Sequence, residues 1–485
     1  MSVQIFLLGK VAGIEEFLLS PAGEGPQGAS ELLAGRSRWV TLLSEVLPRA
    51  LLSELGLAKI LLGSSGGGQF LLVLPSESQP QAEQILEAAG EQIQQLSGGH
   101  LHLVSVFTEN LGDWSVVRKR LNEAMQRRQG AAASARPLDV FRPFSGAETA
   151  DPGGYFTKDM AVDLQTADTV GWSPETPGLV LAGPAKYSWP LTSGPSADSI
   201  AIARHAATAD DGAAPATLAG LASRAQGRPA WGVLRGDVDN LGIRLRRVQT
   251  IEEHIQISMM YKQFFAGELE LMCSLPDYWR KVSILYSGGD DFAVYGAWDA
   301  LIPLAREIQR LFHRFSEENL KDFPGPEGKT ITMALAIAPD TDSSLASIYE
   351  QAGAMLELAK SADKDCIYVL GNTLEWRQLA AASDLRETML RMAAELDSPR
   401  RFLVDLTAFY RKAAAASRLE AGRHFEKPWQ VQRHLNRALG ETRDKELQRL
   451  RAHLTNEILV KGATRTKLRP GGRVALEWAR LLTEV

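Results

Sequence analysis

Hydrophobic and polar positions along the chain alternate between two periods, and the order in which they do so recurs. VQIFLL at residues 3–8 reads as a buried strand, and a long stretch from Ala29 to Leu55 carries apolar residues at helical spacing. KILLGSSGGGQFLLVLP, from Lys59 to Pro75, is two apolar runs around a glycine cluster, the pattern of a hairpin. The helical period returns from Gln79 to Gln95, and LHLVSVF closes the series as a strand. That is the β-α-β-β-α-β order of a ferredoxin-like domain.

The same order begins again at Trp231. A strand there is followed by helix through about Met272, a hairpin at 282–296, a helix from Asp299 to Phe315 and a strand at 330–338. A further helix at 344–361 and a strand at 366–370 complete this half. The chain therefore reads as a divergent internal duplication. Superposing the copies sets Lys10 where Asp237 stands, and Gly68 and Gln69 where Asp290 and Asp291 stand. Between the copies the composition shifts toward Gly, Ala, Pro, Ser and Thr. GAAASARP and ATADDGAAPATLAG read as flexible linkers there, and YSWPLT and GLVLAG as short strands. Beyond the second copy the periodicity is helical throughout, with helices near 374–396, 400–418, 427–438, 443–460 and 472–484.

The expected fold class is α+β. A first ferredoxin-like domain covers 1–128, an inserted linker module 129–228, a second ferredoxin-like domain 229–372, and an all-α domain 373–485.

Composition narrows the function classes. A formal net charge of −5 gives no global nucleic-acid signature, so any RNA contact must come from a local basic stretch such as Lys461, Arg465, Lys467 and Arg469. An ordinary solvated loop remains open for those residues. The two cysteines, Cys273 and Cys366, cannot form a four-thiolate zinc site; each lies in an apolar segment, and no zinc is expected. No uncharged apolar run reaches the ~18 residues a membrane span needs, and the expectation is a soluble, cytoplasmic protein without a membrane partner.

The chemistry concentrates at YSGGDDFAV, Tyr286 to Val294. Gly288 and Gly289 supply a turn there, glycine accepting positive φ and letting a phosphate approach the backbone. Asp290 and Asp291 are then expected exposed at the tip. WGVLRGDVDNLG upstream ends a strand in Asp237 and Asp239, which strand alternation points the same way. If the two strands are neighbours, Asp237 joins Asp290 and Asp291. Adjacent carboxylates repel unless a cation neutralises them, so the set fits a hard divalent metal, Mg²⁺ or Mn²⁺, working on a nucleoside triphosphate. Asp237, Asp290 and Asp291 are the candidate catalytic and metal-binding residues, with Asp239 an additional ligand candidate. The bare loop Gly66, Gly67 and Gly68 of the first copy could cradle phosphate or ribose through backbone N–H groups, or be a plain glycine hairpin.

GGDD with DVDNLG at 237–242 resembles the palm domain of the large signature subunit of type III CRISPR effector complexes, the Csm type more than the Cmr type. The wider class includes GGDEF cyclases, but Phe292 follows GGDD here, which departs from that signature. The resemblance extends over most of the chain. It implies two palm domains, ATP as substrate, cyclic oligoadenylate as product, and activation by target RNA. The implied partners are guide RNA, a small helical subunit and the subunit capping the 5′ end of the guide. It also makes Lys360 resemble a lysine that contacts triphosphate oxygens, although a solvated lysine at a helix end is equally in keeping with the pattern. The family often carries an N-terminal HD nuclease domain, and no histidine here is followed by Asp, so DNA cleavage is not expected. Two rivals remain: a GGDEF-like cyclase using GTP, and a catalytically silent scaffold of the same complex.

Overall fold

The computed structural model describes residues 4–20, 26–135 and 155–394, apart from 177, 182, 193–197, 211 and 213. Toward the C-terminus it describes 445, 448–449, 452, 459–461 and 466–484. The helices expected at 400–418 and 427–438, nearly all of that at 443–460, and Arg465 lie outside these residues.

The first sheet consists of β1 (Gln4–Ala12), β2 (Leu62–Gly66), β3 (Gln69–Pro75) and β4 (His102–Glu109), in the antiparallel order β2-β3-β1-β4. Helix α1 (Ile14–Leu19) leads from β1 to α2 (Pro26–Glu54), and α3 (Gln79–Leu96) leads from β3 to β4. Strand alternation divides the side chains between two cores. Ile5, Leu7, Phe70 and Leu72 pack with Trp39 and Leu43 of α2 and Leu86 of α3, whereas Phe6, Leu71, Val104 and Val106 face α4 (Trp114–Ala135). α4 is absent from the expected order, although Trp114, Val117, Leu121 and Met125 stand at helical spacing. It runs through Gly130 and the alanines after it, so the boundary expected at 128 falls inside a helix; alanine is the strongest helix former and carries the turn past the glycine.

The intervening segment is a layer on the first domain. Helix α5 (Lys158–Thr166) lies against α2, and β5 (Thr169–Trp172), β6 (Tyr187–Thr192) and β7 (Ile200–Ala201) form a small sheet. YSWPLT is β6 as expected, while GLVLAG contributes only an isolated bridge, Gly171 to Val180. ATADDGAAPATLAG is not a flexible linker. Thr208 bridges Pro215, Ala207 and Ala216 are buried, and α6 (Leu218–Ser223) follows with Thr217 as its N-cap. Small side chains here allow close packing.

The second sheet repeats the first order and extends it. It comprises β8 (Trp231–Val238), β9 (Val282–Ser287), β10 (Asp291–Ala297), β11 (Ile331–Ile337), β12 (Cys366–Val369) and β13 (Asn372–Glu375), ordered β13-β12-β11-β8-β10-β9. Between β8 and β9 run α7 (Leu241–Arg247), α8 (Ile251–Gln263), a π turn (Phe264–Glu268) and α9 (Leu269–Cys273). Helices α10 (Trp298–Asn319) and α11 (Leu345–Ala362) flank β11, and α12 (Trp376–Ala394) follows β13. The expected boundary at 372 therefore cuts into a strand of this sheet.

Two registers establish the duplication. Lys10 pairs with Gln69 as Asp237 pairs with Asp291, and Gly9 pairs with Phe70 as Gly236 pairs with Phe292. In both copies a Cβ on the glycine would strike the phenylalanine ring, at 2.1 Å in the first and 2.3 Å in the second. The same device thus seats both central strands.

The C-terminal part is not helical throughout, because β14 (Leu459–Lys461) and β15 (Thr466–Leu468) pair as a hairpin before α13 (Pro470–Thr483). α12 and α13 pack on each other and share one buried cluster with the second sheet and the α4 face of the first. Among the described residues no helix is long and apolar enough to cross a membrane.

Candidate active site

The carboxylates converge because β8 lies beside β10. Asp237 and Asp291 are opposite each other across that pair, and the Val238 amide donates to the Asp290 carbonyl at 2.9 Å. The turn that carries Asp290 differs from expectation in two ways. Neither Gly288 nor Gly289 has positive φ. Gly288 is needed for room instead, since a Cβ there would sit 2.5 Å from the Asp291 Oδ1. Asp290 and Asp291 are partly buried, not exposed at the tip.

Each carboxylate has a distinct setting. The Asp237 Oδ2 is 3.2 Å from the Lys360 Nζ, and the Asp291 Oδ2 accepts from the Tyr286 hydroxyl at 3.0 Å. Burial, then Asp291 and Asp237, push Asp290 up to about 7. Burial also raises Asp237, with Lys360 opposing, and raises Asp291, with Tyr286 and Arg235 opposing. Burial and the Asp291 charge hold the Tyr286 hydroxyl well above its usual value, so it stays a donor. Lys360 is pulled down by burial, but Asp237 and Glu357 more than offset this and hold it above the ordinary lysine value. The three carboxylates therefore crowd one another, with Lys360 and Arg235 as the cations that oppose their shifts.

Asp239 has a different task. It is 3% exposed, and its oxygens accept from the Thr330 and Thr332 hydroxyls, each at 2.7 Å, and from the Asp365 amide at 3.0 Å. Both oxygens are committed to the protein. Asp239 thus fastens the loop after α11, whose Lys364 and Asp365 stand at φ 44° and 46°. Left-handed backbone at two adjacent side-chain-bearing residues is costly and persists only where surroundings enforce it. The loop brings Lys364 to Asn240, itself at φ 60°.

A cavity of about 260 Å³ opens beside these groups, lined by Asp237, Asp290, Asn240, Arg246, Lys360 and Lys364. Carboxylates on one wall and three cations around it suit a metal-bound polyphosphate. Among the described residues no three His, Cys, Asp or Glu side chains already close on one point, because Asp237 is held by Lys360 and Asp291 by Tyr286. The donors are hard oxygens of crowded carboxylates, which fits Mg²⁺ or Mn²⁺ and not a softer metal.

Sequence reasoning had placed Lys360 here but not Arg246, Lys364, Asn240 or Tyr286. Only Tyr286 carried a signal, as a strand tyrosine facing the same side as Asp291. Opposite the turn lies the glycine loop of the first domain. Gly66, Gly67 and Gly68 all have positive φ, and a Cβ on Gly67 would be 3.6 Å from the Gly289 amide nitrogen. Lys10 and Gln69 occupy the positions of Asp237 and Asp291 there, so the first domain has no carboxylate at either position. Lys461 and Lys467 lie on the β14–β15 hairpin, and Arg469 is exposed just before α13.

Paired ferredoxin-like domains, one bearing a carboxylate cluster on its central strand and hairpin, define the class of double-palm proteins. A family model for the second palm domain of Cas10/Cmr2 matches residues 230–368, and one for domain B of the Csm1 subunit matches 4–131, together more than half the chain. The chain belongs to the Cas10/Csm1 family, and to its Csm type.

Similar proteins include the subtype III-A Cas10/Csm1 single-strand-specific deoxyribonuclease of Mycobacterium tuberculosis, 22% identical over 68% of this chain and 49% of that protein. The Enterococcus italicus protein of the same description is 27% identical over 37% of this chain and 23% of its own length. The chain thus matches half or less of each of these relatives. Among solved structures, Csm1 of T. onnurineus superposes over all of this chain and 70% of its own, with TM-score 0.72 at 16% identity. A Csm1–Csm4 cassette in complex with cA3 gives TM-score 0.70 at the same identity and coverage.

Proposed function

We propose that this chain is the nucleotidyltransferase subunit of a type III CRISPR effector complex, converting ATP to cyclic oligoadenylate when target RNA is bound. The observation that carries the reading is the asymmetry of the two palms: a carboxylate set with three neighbouring cations on the second, a glycine loop without carboxylates on the first, and the two loops facing each other. Similar Csm1–Csm4 cassettes have been solved in complex with one ATP, with pppApA and with cA4, which supports nucleotides as the occupants.

Asp237, Asp290 and Asp291 would hold Mg²⁺ or Mn²⁺, which when bound neutralises the triphosphate and favours attack by a 3′-hydroxyl with loss of pyrophosphate. Lys360, Lys364 and Arg246 line the cavity where triphosphate oxygens would lie and supply fixed positive charge to them. Asp239 keeps the lysine loop in place. Gly288 and Gly289 let phosphate approach the turn, and Gly66, Gly67 and Gly68 offer backbone amides to the nucleotide that attacks. The partners would be a Csm4-like subunit at the 5′ end of the guide RNA, a small helical subunit, and guide and target RNA. Lys461, Arg465, Lys467 and Arg469 are the candidate contacts, and the cytoplasm is the expected compartment.

The test is mass spectrometry of products after the assembled ribonucleoprotein meets ATP and Mg²⁺ with and without matched target RNA. Cyclic adenylates that require target, and that disappear in Asp290→Ala/Asp291→Ala while assembly is normal, are expected. Products from GTP alone would favour the cyclase rival. No product from an intact, target-bound complex would leave the scaffold reading.

A further inference from the structure

One helix reaches both glycine loops. Lys262, in the last turn of α8, donates to the Glu45 Oε2 at 2.5 Å and to the Ser65 hydroxyl at 3.1 Å. Glu45 of α2 is 3% exposed and accepts as well from Ser65 at 2.8 Å and from Arg49 at 2.8 Å. Ser65 immediately precedes Gly66, Gly67 and Gly68. A few residues beyond Lys262, the π turn departs from the i→i−4 ladder. The carbonyl of Phe265 in that turn accepts from the Ser287 hydroxyl at 2.6 Å, and Ser287 immediately precedes Gly288 and Gly289.

We infer that α8 and its π turn are a positioning device that sets the register between the two glycine loops, through Lys262–Glu45–Ser65 on one side and Phe265–Ser287 on the other. None of these side chains lines the carboxylate cavity, so they act through the loops they hold. The charges explain why the contact is specific. Were α8 to slide along α2, Glu45 would keep Arg49 of its own helix, but Lys262 would lose its buried carboxylate and the Ser65 bond together. An apolar contact would tolerate such a slip. The first domain is thereby fixed at the separation seen between Gly67 and Gly289, the separation on which joining two nucleotides would depend.

The kinetic part of this inference rests on the proposed function; the structural part does not. The two native cysteines are buried, so spin labels can be placed at Glu87→Cys on α3 and Arg314→Cys on α10, both exposed. Distances are measured by electron–electron resonance in the full chain with Glu45 and Lys262 intact, with Glu45→Gln/Lys262→Met, and with Lys262→Arg. The parent and Lys262→Arg are expected to give one narrow distribution, and the double neutral variant a broadened or shifted one. An unchanged distribution in the double variant overturns the inference. The double change removes both charges of the Lys262–Glu45 pair together, and Arg49 keeps its bond to the Glu45 carbonyl; if the variant nevertheless fails to fold, Ser65→Ala and Ser287→Ala, which remove only hydroxyls, provide the same comparison. In the assembled complex, the variant that broadens the distance should lose at least tenfold in kcat for ATP with KM changed less than threefold. A parallel rise in KM, or an unaltered kcat, would show that the contact is only structural. If the unmodified complex turns over no ATP, the functional reading fails while the distance result still decides the positioning claim.

Discussion

Asp290 is where the cost of the site is concentrated. Its carboxyl titrates at about 7 in the folded, metal-free protein against 3.8 for the free group, because ionisation there meets burial, Asp291 and Asp237. A raised folded pKa means stability fully present below the unfolded value and lost as pH rises through the folded one. Asp290→Asn should therefore melt higher than the parent in chelator at pH 8, and the advantage should shrink as pH falls from 7 toward 4. Melts across pH check this; an advantage that grew on acidification would contradict it. On the proposed metal role the same proton would compete with the cation, so Mg²⁺ affinity measured by calorimetry should weaken below pH 7, by up to about tenfold per unit. The two turn glycines separate by the same close reading. Gly288→Ala forces its Cβ against the Asp291 carboxylate and should cost about 1–3 kcal/mol of stability. Gly289→Ala has open space and no positive φ, so denaturant melts should find it neutral or up to about 1 kcal/mol stabilised. Nucleotide binding should still weaken in Gly289→Ala, because its Cβ projects where a phosphate would approach the turn.

At the scale of elements, the loop after α11 shows what pattern reading could and could not reach. Lys364 and Asp365 are left-handed because Asp239 draws in the Asp365 amide from a distant strand. Asp365→Gly keeps that amide while removing the backbone strain, and should stabilise the protein by about 1 kcal/mol in denaturant melts. Asp239→Ala removes the acceptor for three donors, two of them hydroxyls in or beside β11, and should destabilise by several times that amount. Limited proteolysis should then cut first beside Lys360 or Lys364. Both strand-hairpin motifs were legible because each sits at the end of a two-period apolar run. The copy-to-copy correspondence of Lys10 with Asp237 and of Gln69 with Asp291 was legible for the same reason. The roles within the motif were not. Asp237 and Asp239 share an alternation face in sequence and both border the cavity, yet Asp237 faces Lys360 while the Asp239 oxygens are consumed by Thr330 and Thr332, a distinction set by the neighbouring strand. Arg246 and Lys364 reach the cavity from the last turn of a seven-residue helix and from a strained loop, neither long enough to show a period. α4 carried a signal that was passed over, Trp114, Val117, Leu121 and Met125 at helical spacing, and only its Gly- and Ala-rich end resembles a linker in composition.

At the scale of the whole molecule, α12 and α13 are structural members of the second palm. Val474, Ala475, Leu476, Trp478, Ala479 and Leu481 of α13 are each at most 4% exposed and belong to the cluster that contains Leu234, Phe292 and Met333 of the second sheet. The Arg228 amide donates to the Leu481 carbonyl at 2.8 Å, and Gly227 approaches the same backbone so closely that a Cβ would lie 2.3 Å from that oxygen. The chain thus enters β8 through a contact with its own last helix. Burying large apolar side chains such as Val474, Leu476, Trp478 and Leu481 is worth about 1.5–3 kcal/mol each, while a whole protein is stable by only about 5–15 kcal/mol. Ending the chain at Arg469 should therefore not yield a shorter protein with a working second palm; it should yield an unfolded or aggregating one. Circular dichroism of that truncation, beside the single substitution Trp478→Ala, checks the argument. Trp478→Ala should cost about 3–5 kcal/mol, since it opens a cavity and takes away the ring that Arg386 covers at 4.1 Å. A truncated chain that melted cooperatively near the parent temperature would mean that the second palm folds without the helix that closes its core.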